Sequence, residues 1–239
     1  MRIRLDQALV KLKLAPTRSQ AESWIKLGKV TVDGRVVNKS GTFVRDDSVI
    51  ELTAREVYVS RAGLKLASVA SVLRLDFADK IVLDVGSSTG GFTDYALQHG
   101  ARKVYAVDVG TDQLHPSLRR NPKIELHEKM DIRKFVPDLP VGIIVIDVSF
   151  ISLREILPHL ATIAGGDTVV VAMVKPQFEA SRRDLGSNGV VKNDAIRRDI
   201  LKSFEVWAKA TWLINAKADS EVAGSTGNRE RFYLLQRLR

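Results

Sequence analysis

The chain has 239 residues, of which 45% are hydrophobic, enough for one full core and a smaller companion domain. It contains no cysteine, which excludes a disulfide framework and a cysteine nucleophile and fits a reducing compartment. The amino-terminal residues are charged without an apolar signal core, and no apolar run approaches the ~20 residues that span a bilayer. We therefore expect a cytoplasmic protein that does not enter the membrane.

The charge is unevenly distributed along the chain. The formal net charge is +9, and residues 1–59 alone hold 11 Lys and Arg against 7 Asp and Glu. A positive charge concentrated in the first quarter favours a polyanionic partner, although a solvated surface gives similar numbers.

The first fifty residues show the pattern of a small α+β module. Apolar residues share one helical face over residues 4–14, and a capping box at Thr17 to Gln20 predicts a second helix that ends at Gly28. Residues 29–37 read as a hairpin turning at Asp33-Gly34, and residues 48–52 read as a further strand. The linker at 53–59 shows no packing signal of its own, so we place the module and its linker at residues 1–59.

This module resembles the S-four RNA-binding domain. The resemblance lies in Arg4-Leu-Asp6, Thr17-Arg-Ser-Gln-Ala21, Gly28-Lys-Val30, Val32-Asp-Gly34 and Asp46-Asp-Ser-Val49. It implies an RNA partner held by shape and backbone contacts. The candidate phosphate contacts are Arg4, Lys11, Arg18, Lys26, Lys29 and Lys39, each of which could singly be a solvated surface charge.

A strand, a glycine-rich turn and a helix follow the helix that starts at Ser60. The strand Ile81–Leu83 runs into Asp84-Val-Gly-Ser-Ser-Thr-Gly-Gly-Phe, and the next strand, 103–108, ends in an acid. This is half of a nucleotide-type βαβ unit, but Ser88 occupies the middle glycine position that a pyrophosphate requires. S-adenosylmethionine has no phosphate and fits better than a dinucleotide, although an ordinary strand-to-helix turn is the alternative. The candidate cofactor contacts are Asp84, Gly86, Ser87, Gly90, Gly91, Phe92 and Asp108.

The remaining elements alternate between strands and helices. Strands are predicted at 124–127, 141–147, 168–174, 213–217 and 232–236, helices at 154–164 and 194–210, and a polar loop at 176–192. This order predicts an α/β fold with a doubly wound, mostly parallel, seven-stranded sheet over residues 60–239. Asp131, behind the third strand, could contact an adenine amino group or cap a short helix; both interpretations stay open.

A methyl donor needs an acceptor, and the sequence narrows the choice. A cysteine adduct at pyrimidine C5 is excluded, and the Asn/Asp-Pro-Pro-aromatic turn typical of amine methylation is replaced by Asp147-Val-Ser-Phe150. An oxygen acceptor such as a ribose hydroxyl is a weak acid and needs a nearby base. A lysine can serve when burial and a neighbouring cation favour its neutral form. Lys65 and Lys175 could form such a pair, with Asp147 and Glu230 as the carboxylates that anchor it.

These residues resemble the Lys-Asp-Lys-Glu site of the FtsJ-like 2′-O-methyltransferases. Together with the amino-terminal module, the whole chain resembles the TlyA or hemolysin A family of ribosomal RNA methyltransferases. The resemblance implies catalytic roles for Lys65, Asp147, Lys175 and Glu230, with Lys175 as the base and Asp147 also near the cofactor. It further implies S-adenosylmethionine as cofactor, ribosomal RNA or ribosomal subunits as partner, and a cytidine 2′-hydroxyl as acceptor. Singly, each residue could be a surface charge or a helix cap.

Three other functions remain as alternatives. A membrane-damaging hemolysin would need an export signal or a spanning run, and a nicotinamide dehydrogenase would need the middle glycine that Ser88 replaces. A non-catalytic RNA-binding protein that keeps the cofactor fold only as a scaffold stays open. We expect no metal, because the histidines at 99, 115, 127 and 159 show no ligand spacing.

Overall fold

The amino-terminal domain holds two helices and two small sheets. The computed structural model describes residues 2–54, 57–222, 224 and 227–238. The elements of this domain are β1 (Arg2–Arg4), α1 (Leu5–Lys11), α2 (Arg18–Lys26), β2 (Val30–Val32), β3 (Arg35–Val36), β4 (Phe43–Arg45) and β5 (Ile50–Leu52). One sheet pairs β1 with β4, and the other has the order β3-β2-β5.

The sequence patterns missed strands β1 and β4. The predicted helix over 4–14 covers only Leu5–Lys11, because the residues before it are extended and pair with a distant segment. Ile3 lies opposite Val44 in that antiparallel pair. A pairing over some forty residues leaves no local periodicity, so it could not be detected along the chain.

The second domain is built on one seven-stranded sheet. Its strands are β6 (Ile81–Val85), β7 (Lys103–Val107), β8 (Ile124–His127), β9 (Ile143–Ile146), β10 (Val169–Val174), β11 (Trp212–Asp219) and β12 (Arg231–Arg237). They lie in the order β11-β12-β10-β9-β6-β7-β8. The strands from β10 to β8 are parallel, whereas β12 runs antiparallel to both of its neighbours. The predicted α/β fold with a mostly parallel seven-stranded sheet is confirmed.

Helices cover both faces of this sheet. They are α3 (Arg61–Ala70), α4 (Gly91–Gln98), α5 (Pro116–Arg119), α6 (Leu157–Ile163), α7 (Pro176–Glu179) and α8 (Asp194–Ala208). Strands β6 and β9 are buried throughout, which explains their continuous apolar runs. One apolar cluster joins α3 and α4 to the core of the amino-terminal domain, and the other joins α6 and α8 to the opposite face.

The linker between the domains packs more firmly than its sequence indicates. Residues 55 and 56 lie outside the described residues, but the Tyr58 side chain is 2% exposed and its ring lies 5.4 Å from that of Tyr95. Gln20 of α2 donates a hydrogen bond to the Tyr58 carbonyl, and the Val59 amide donates to Asp94 of α4. Although its sequence shows no packing signal, the segment joins both domains through one aromatic side chain and its backbone.

Two further segments differ from their predictions. The loop expected over 176–192 contains α7, whose first residue is a proline, and a bridge between Leu185 and Val191. The helix expected from 154 starts as a 3-10 turn, and α6 begins at Leu157. Within the described ranges, none of the helices is long and apolar enough to cross a membrane.

Candidate active site

A glycine-rich turn connects β6 to α4 at the carboxyl edge of the sheet. Gly86 has a φ of +80°, and a Cβ placed there would lie 2.7 Å from the Asp147 carbonyl oxygen. Gly91, the first residue of α4, approaches the start of α3 so closely that a Cβ would lie 2.2 Å from Ser60 Oγ. Side chains at these positions would displace the neighbouring backbone, so the turn needs glycine at both. Gly90, with a φ of +95°, caps α4.

Ser88 takes the place of the middle glycine and ties the turn to β7. Its amide donates a 2.8 Å hydrogen bond to Asp108 Oδ2, and its hydroxyl donates to Gln113. Asp108 Oδ1 accepts from the Gly110 amide at 2.7 Å. Each carboxylate oxygen retains a second lone pair, which could accept a hydrogen bond from a ribose hydroxyl.

A cavity of about 470 Å³ lies beside this turn, and we call it the cofactor cavity. Its lining includes Gly86, Ser88, Asp108, Asp131, Asp147 and Phe150. Asp131 accepts from the Arg133 amide and caps a 3-10 turn, and its carboxylate also contacts the Arg133 guanidinium at 2.6 Å. The hydrogen bonds from Arg133 lower the pKa of Asp131 to about 2. The structure thus shows the capping role, while contact with adenine stays a prediction.

Asp84 lies beneath the glycine turn, fully shielded from solvent. Its Oδ2 accepts a 2.6 Å hydrogen bond from Thr93 Oγ1. Its Oδ1 and the Ser87 hydroxyl have no hydrogen-bond partner within the described part of the chain. Burial raises the pKa of Asp84 to about 7, with a smaller contribution from the nearby Asp147 carboxylate. Both groups line a small space between the turn and the first turn of α3, together with Phe92. A buried carboxylate without a cation is costly, and a positively charged ligand would relieve that cost.

A second cavity of about 510 Å³ brings together the four residues of the sequence-derived tetrad, and we call it the tetrad cavity. Lys175 Nζ lies 2.7 Å from Asp147 Oδ1, and Lys65 Nζ lies 2.6 Å from Glu230 Oε2. Glu230 is 2% exposed and Lys65 is 8% exposed. The cavity therefore contains two lysine–carboxylate pairs drawn from distant parts of the sequence.

The sheet topology explains why these residues meet. Asp147 directly follows β9 and Lys175 directly follows β10, and these neighbouring parallel strands end at one edge of the sheet. Glu230 reaches the same edge because β12 runs antiparallel to β10, so the start of β12 lies beside the end of β10. Lys65 comes from α3, which packs against α4 over the glycine turn.

The loop between Asp147 and α6 shapes the boundary between the two cavities. Ser149 and Phe150 line both of them. Phe150 is 92% exposed with a φ of +65°, and its ring lies 5.2 Å from that of Phe178 in α7. A non-glycine residue held in the left-handed region, with its ring in solvent, is typical of a functional position.

Two polar residues that the sequence patterns missed hold this loop. Lys175 Nζ donates a 2.8 Å hydrogen bond to Ser149 Oγ. Glu179, at the end of α7, accepts from Ser152 Oγ at 2.6 Å and from the Leu153 amide at 2.7 Å. Their signal in the sequence is weak: a serine two residues after the strand-end acid, and a glutamate four residues after the strand-end lysine.

The six candidate RNA contacts fall into two groups. The lysines at 11, 26, 29 and 39 are exposed. Arg4 and Arg18 instead share the buried carboxylate of Asp6, each with a guanidinium nitrogen 2.8 Å from Asp6 Oδ2. These hydrogen bonds, that from Arg4 first, lower the pKa of Asp6 to about 2. The two guanidinium groups are thereby fixed at the surface of the amino-terminal domain, where Arg18 is 53% exposed.

No group of three or more metal-ligating side chains occurs in residues 2–54, 57–222, 224 and 227–238. Each tetrad lysine forms an ion pair with one tetrad carboxylate.

Comparison with known proteins identifies both domains. The FtsJ-like methyltransferase family matches residues 58–237, and the S4 domain family matches residues 3–50. The chain thus belongs to the FtsJ-like methyltransferases, enzymes that use S-adenosylmethionine, and carries an amino-terminal S4 domain. Within them it belongs to the TlyA and hemolysin A group.

Relatives in that group match over most of their length. The 16S/23S rRNA (cytidine-2′-O)-methyltransferase TlyA of Mycobacterium tuberculosis is 36% identical over 98% of this chain and 90% of its own. The 23S rRNA (cytidine-2′-O)-methyltransferase TlyA of Campylobacter jejuni is 39% identical over 82% of this chain and 78% of its own. Hemolysin A of Brachyspira hyodysenteriae is 39% identical over 84% and 85%.

A solved structure supports the same grouping. A protein from Streptococcus thermophilus, described as a hemolysin, superposes with a TM-score of 0.73 at 38% identity, over 99% of this chain and 88% of its own. The predicted family, the enzyme class and the cofactor S-adenosylmethionine are confirmed.

Proposed function

We propose that this protein transfers the methyl group of S-adenosylmethionine to the ribose 2′-hydroxyl of a cytidine in ribosomal RNA. The observation that carries the proposal is the tetrad cavity, in which two amines face two carboxylates next to the cofactor cavity. The choice of cytidine and of ribosomal RNA is supported by the names of the relatives from Mycobacterium tuberculosis and Campylobacter jejuni.

The cofactor cavity suits S-adenosylmethionine in its charge and its shape. Asp84 lines the small space beside the cofactor cavity, its Oδ1 has no hydrogen-bond partner among the described residues, and it would hold the ammonium of the methionine part. Gly86 and Gly91 leave no room for side chains beside that position. Asp108, at the end of the next strand, would accept hydrogen bonds from the ribose hydroxyls. Ser87 and Phe92 line the small space next to Asp84, Gly90 caps α4 at the end of the same turn, and Asp131 would approach the adenine.

The tetrad suits deprotonation of a weakly acidic hydroxyl. When bound, the cofactor supplies an electrophilic methyl group on a sulfonium. Lys175, as the free amine, would accept the 2′-hydroxyl proton at Nζ, which would make that oxygen nucleophilic toward the methyl donor. Asp147 holds the Lys175 amine at 2.7 Å and balances the charge that it gains. Lys65, fixed by Glu230, places positive charge beside the oxygen as it becomes negative.

Two features favour an RNA nucleotide over a small molecule as acceptor. The rings of Phe150 and Phe178 form an exposed apolar surface at the mouth of the tetrad cavity, against which a base could stack. The amino-terminal domain adds the exposed lysines and the two anchored arginines, which suit phosphate contacts. We assign residues 1–59 to RNA binding and residues 60–239 to methyl transfer.

The experiment is methyl transfer from labelled S-adenosylmethionine to purified ribosomal subunits. The wild type should label a cytidine ribose and make the following phosphodiester resistant to alkali. Lys175→Ala should lower the rate by about 10³-fold, since general-base catalysis contributes roughly 10²–10⁴. Its affinity for the cofactor, measured by calorimetry, should change less than about twofold.

A matched control is Lys202→Ala, which removes an exposed lysine of α8 outside both cavities. It should retain the wild-type rate. Absence of label with the wild type, or equal labelling by the wild type and Lys175→Ala, would contradict the proposal.

A further inference from the structure

One hydrogen bond in the tetrad cavity joins a tetrad residue to a residue outside the tetrad. Lys175 Nζ donates a 2.8 Å hydrogen bond to Ser149 Oγ, from the loop that separates the tetrad cavity from the cofactor cavity. Ser149 is an exposed residue, so burial of its side chain does not explain why its hydroxyl accepts a hydrogen bond from the Lys175 amine.

We propose that Ser149 is a positioning residue that orients the Lys175 amine toward the acceptor hydroxyl. This inference rests on the proposed function, because it assumes that Lys175 is the base. Ser149 itself need not touch the substrate; it acts through Lys175.

The geometry of a free amine explains the need for such a residue. A neutral lysine amine has two N–H bonds and one lone pair, and it rotates freely about its Cε–Nζ bond unless its hydrogens are held. Asp147 Oδ1 lies 2.7 Å from Nζ and supplies charge, but it accepts no directed hydrogen bond within the described residues. The bond to Ser149 Oγ is directed. The Ser149 hydroxyl and the Asp147 carboxylate take up two sides of Nζ, and we place the lone pair on the remaining side, toward the tetrad cavity that Lys175 lines.

The location of Ser149 makes this orientation dependent on the loop. Ser149 lies two residues after Asp147, and Glu179 fixes the same loop through Ser152 and the Leu153 amide. Glu179 is itself only four residues after Lys175. The contact made by Glu179 therefore helps to fix the position of Ser149 relative to Lys175, because it joins the same two segments.

The O–H bond of the 2′-hydroxyl breaks, its proton goes to the Lys175 lone pair, and the oxygen forms a bond to the methyl carbon as the sulfur–carbon bond breaks. Lys175 becomes an ammonium that forms an ion pair with Asp147 and donates a hydrogen bond to Ser149. Without the serine hydroxyl, an N–H bond can point toward the acceptor oxygen in place of the lone pair, and transfer slows.

The test compares Ser149→Ala with Ser149→Thr, which keeps the hydroxyl and has room for its methyl group because the site is exposed. Ser149→Ala should lower kcat about tenfold, since misplacement of a catalytic group by about 1 Å can cost up to ~10². The KM for ribosomal subunits and the calorimetric Kd for S-adenosylmethionine should stay within about twofold. Ser149→Thr should recover at least half of the wild-type kcat.

The matched control is Ser71→Ala, which removes an exposed hydroxyl at the end of α3. A Ser149→Ala variant with wild-type kcat would overturn the inference, and so would equal losses in Ser149→Ala and Ser149→Thr. A loss confined to KM or to cofactor affinity would also overturn it. None of these outcomes touches the proposed function, which fails only if the wild type does not methylate or Lys175→Ala remains active.

Discussion

Two aspartates in this protein have no solvent exposure, but their surroundings shift their pKa values in opposite directions. Asp6 of the amino-terminal domain and Asp84 beneath the glycine turn are both 0% exposed. Asp6 contacts the guanidinium groups of Arg4 and Arg18, and its pKa is lowered to about 2. Asp84 accepts a hydrogen bond from the Thr93 hydroxyl, and burial raises its pKa to about 7.

The contrast is between a buried carboxylate that forms ion pairs within its own domain and one that has no cationic partner among the described residues. In the amino-terminal domain the chain supplies its own cations, and the carboxylate fixes two arginines at the surface. Beneath the glycine turn no lysine or arginine is paired with Asp84 in the described part of the chain. Under the proposed function the missing cation is the ammonium of the cofactor.

The largest expected effect is on stability as a function of pH. A carboxyl group whose pKa is raised on folding stabilises the folded state fully at pH values below its unfolded pKa of 3.8. For Asp84, that stabilisation is lost as pH rises through about 7. Relative to Asp84→Asn, the cofactor-free wild type should lose on the order of 4 kcal/mol of unfolding free energy between about pH 4 and pH 8. Urea unfolding of both proteins across this range measures the difference, and parallel curves would refute a buried, unpaired Asp84.

The second effect is on cofactor affinity. Asp84→Asn removes the proposed partner of the ammonium and should weaken S-adenosylmethionine binding by roughly tenfold to a hundredfold, the range for a charge-assisted hydrogen bond. Affinity of the wild type should also rise as pH increases from about 5 to about 7.5, because binding favours the ionised carboxylate. Calorimetry at several pH values should show no such rise in Asp84→Asn; an equal rise in both proteins would assign it to another group.

The third effect belongs to Asp6 and has the opposite sign. A group whose pKa is lowered on folding stabilises above its unfolded value of 3.8, and that stabilisation is lost as pH falls toward about 2. At neutral pH Asp6→Asn should cost no more than about 2 kcal/mol, because the partner arginines are partly solvated. The variant should bind RNA more weakly in a filter-binding assay while its cofactor affinity stays unchanged. A loss of cofactor affinity would contradict the assignment of Asp6 to RNA binding and of Asp84 to cofactor binding.

The smallest effect is expected from the exposed lysines. Lys26→Ala or Lys29→Ala should each weaken RNA binding less than tenfold and lower the slope of log affinity against log salt by about 1. Lys202→Ala, on α8, serves as the control and should leave the slope unchanged. If all three variants behave alike, the amino-terminal lysines do not contact phosphate.

Much of the second domain could be predicted because its signals are local. Continuous apolar runs marked β6 and β9, and the strand-end residues Asp147 and Lys175 followed from where those runs stop. The place of Glu230 beside them depends on the antiparallel direction of β12, which neither the residue pattern nor the family resemblance had predicted.

The features that sequence reasoning missed are all contacts between separate segments. Tyr58 is a single aromatic residue among seven linker residues and gives no periodic signal, yet its ring packs against Tyr95. Ser149 and Glu179 stand in polar loops, where their importance depends on which hydrogen bonds the loops make with each other. Such contacts are set by the tertiary fold, and neither composition nor spacing contains them.

The reversed direction of β12 also bears on how the site forms during folding. The glycine turn, Asp84 and Asp108 belong to β6, α4 and the end of β7, which are synthesised early. Glu230 reaches the pocket only when the β11–β12 hairpin docks against β10. Because a domain generally folds as one unit, Lys65 gains its counter-ion only when this last hairpin of the chain is in place.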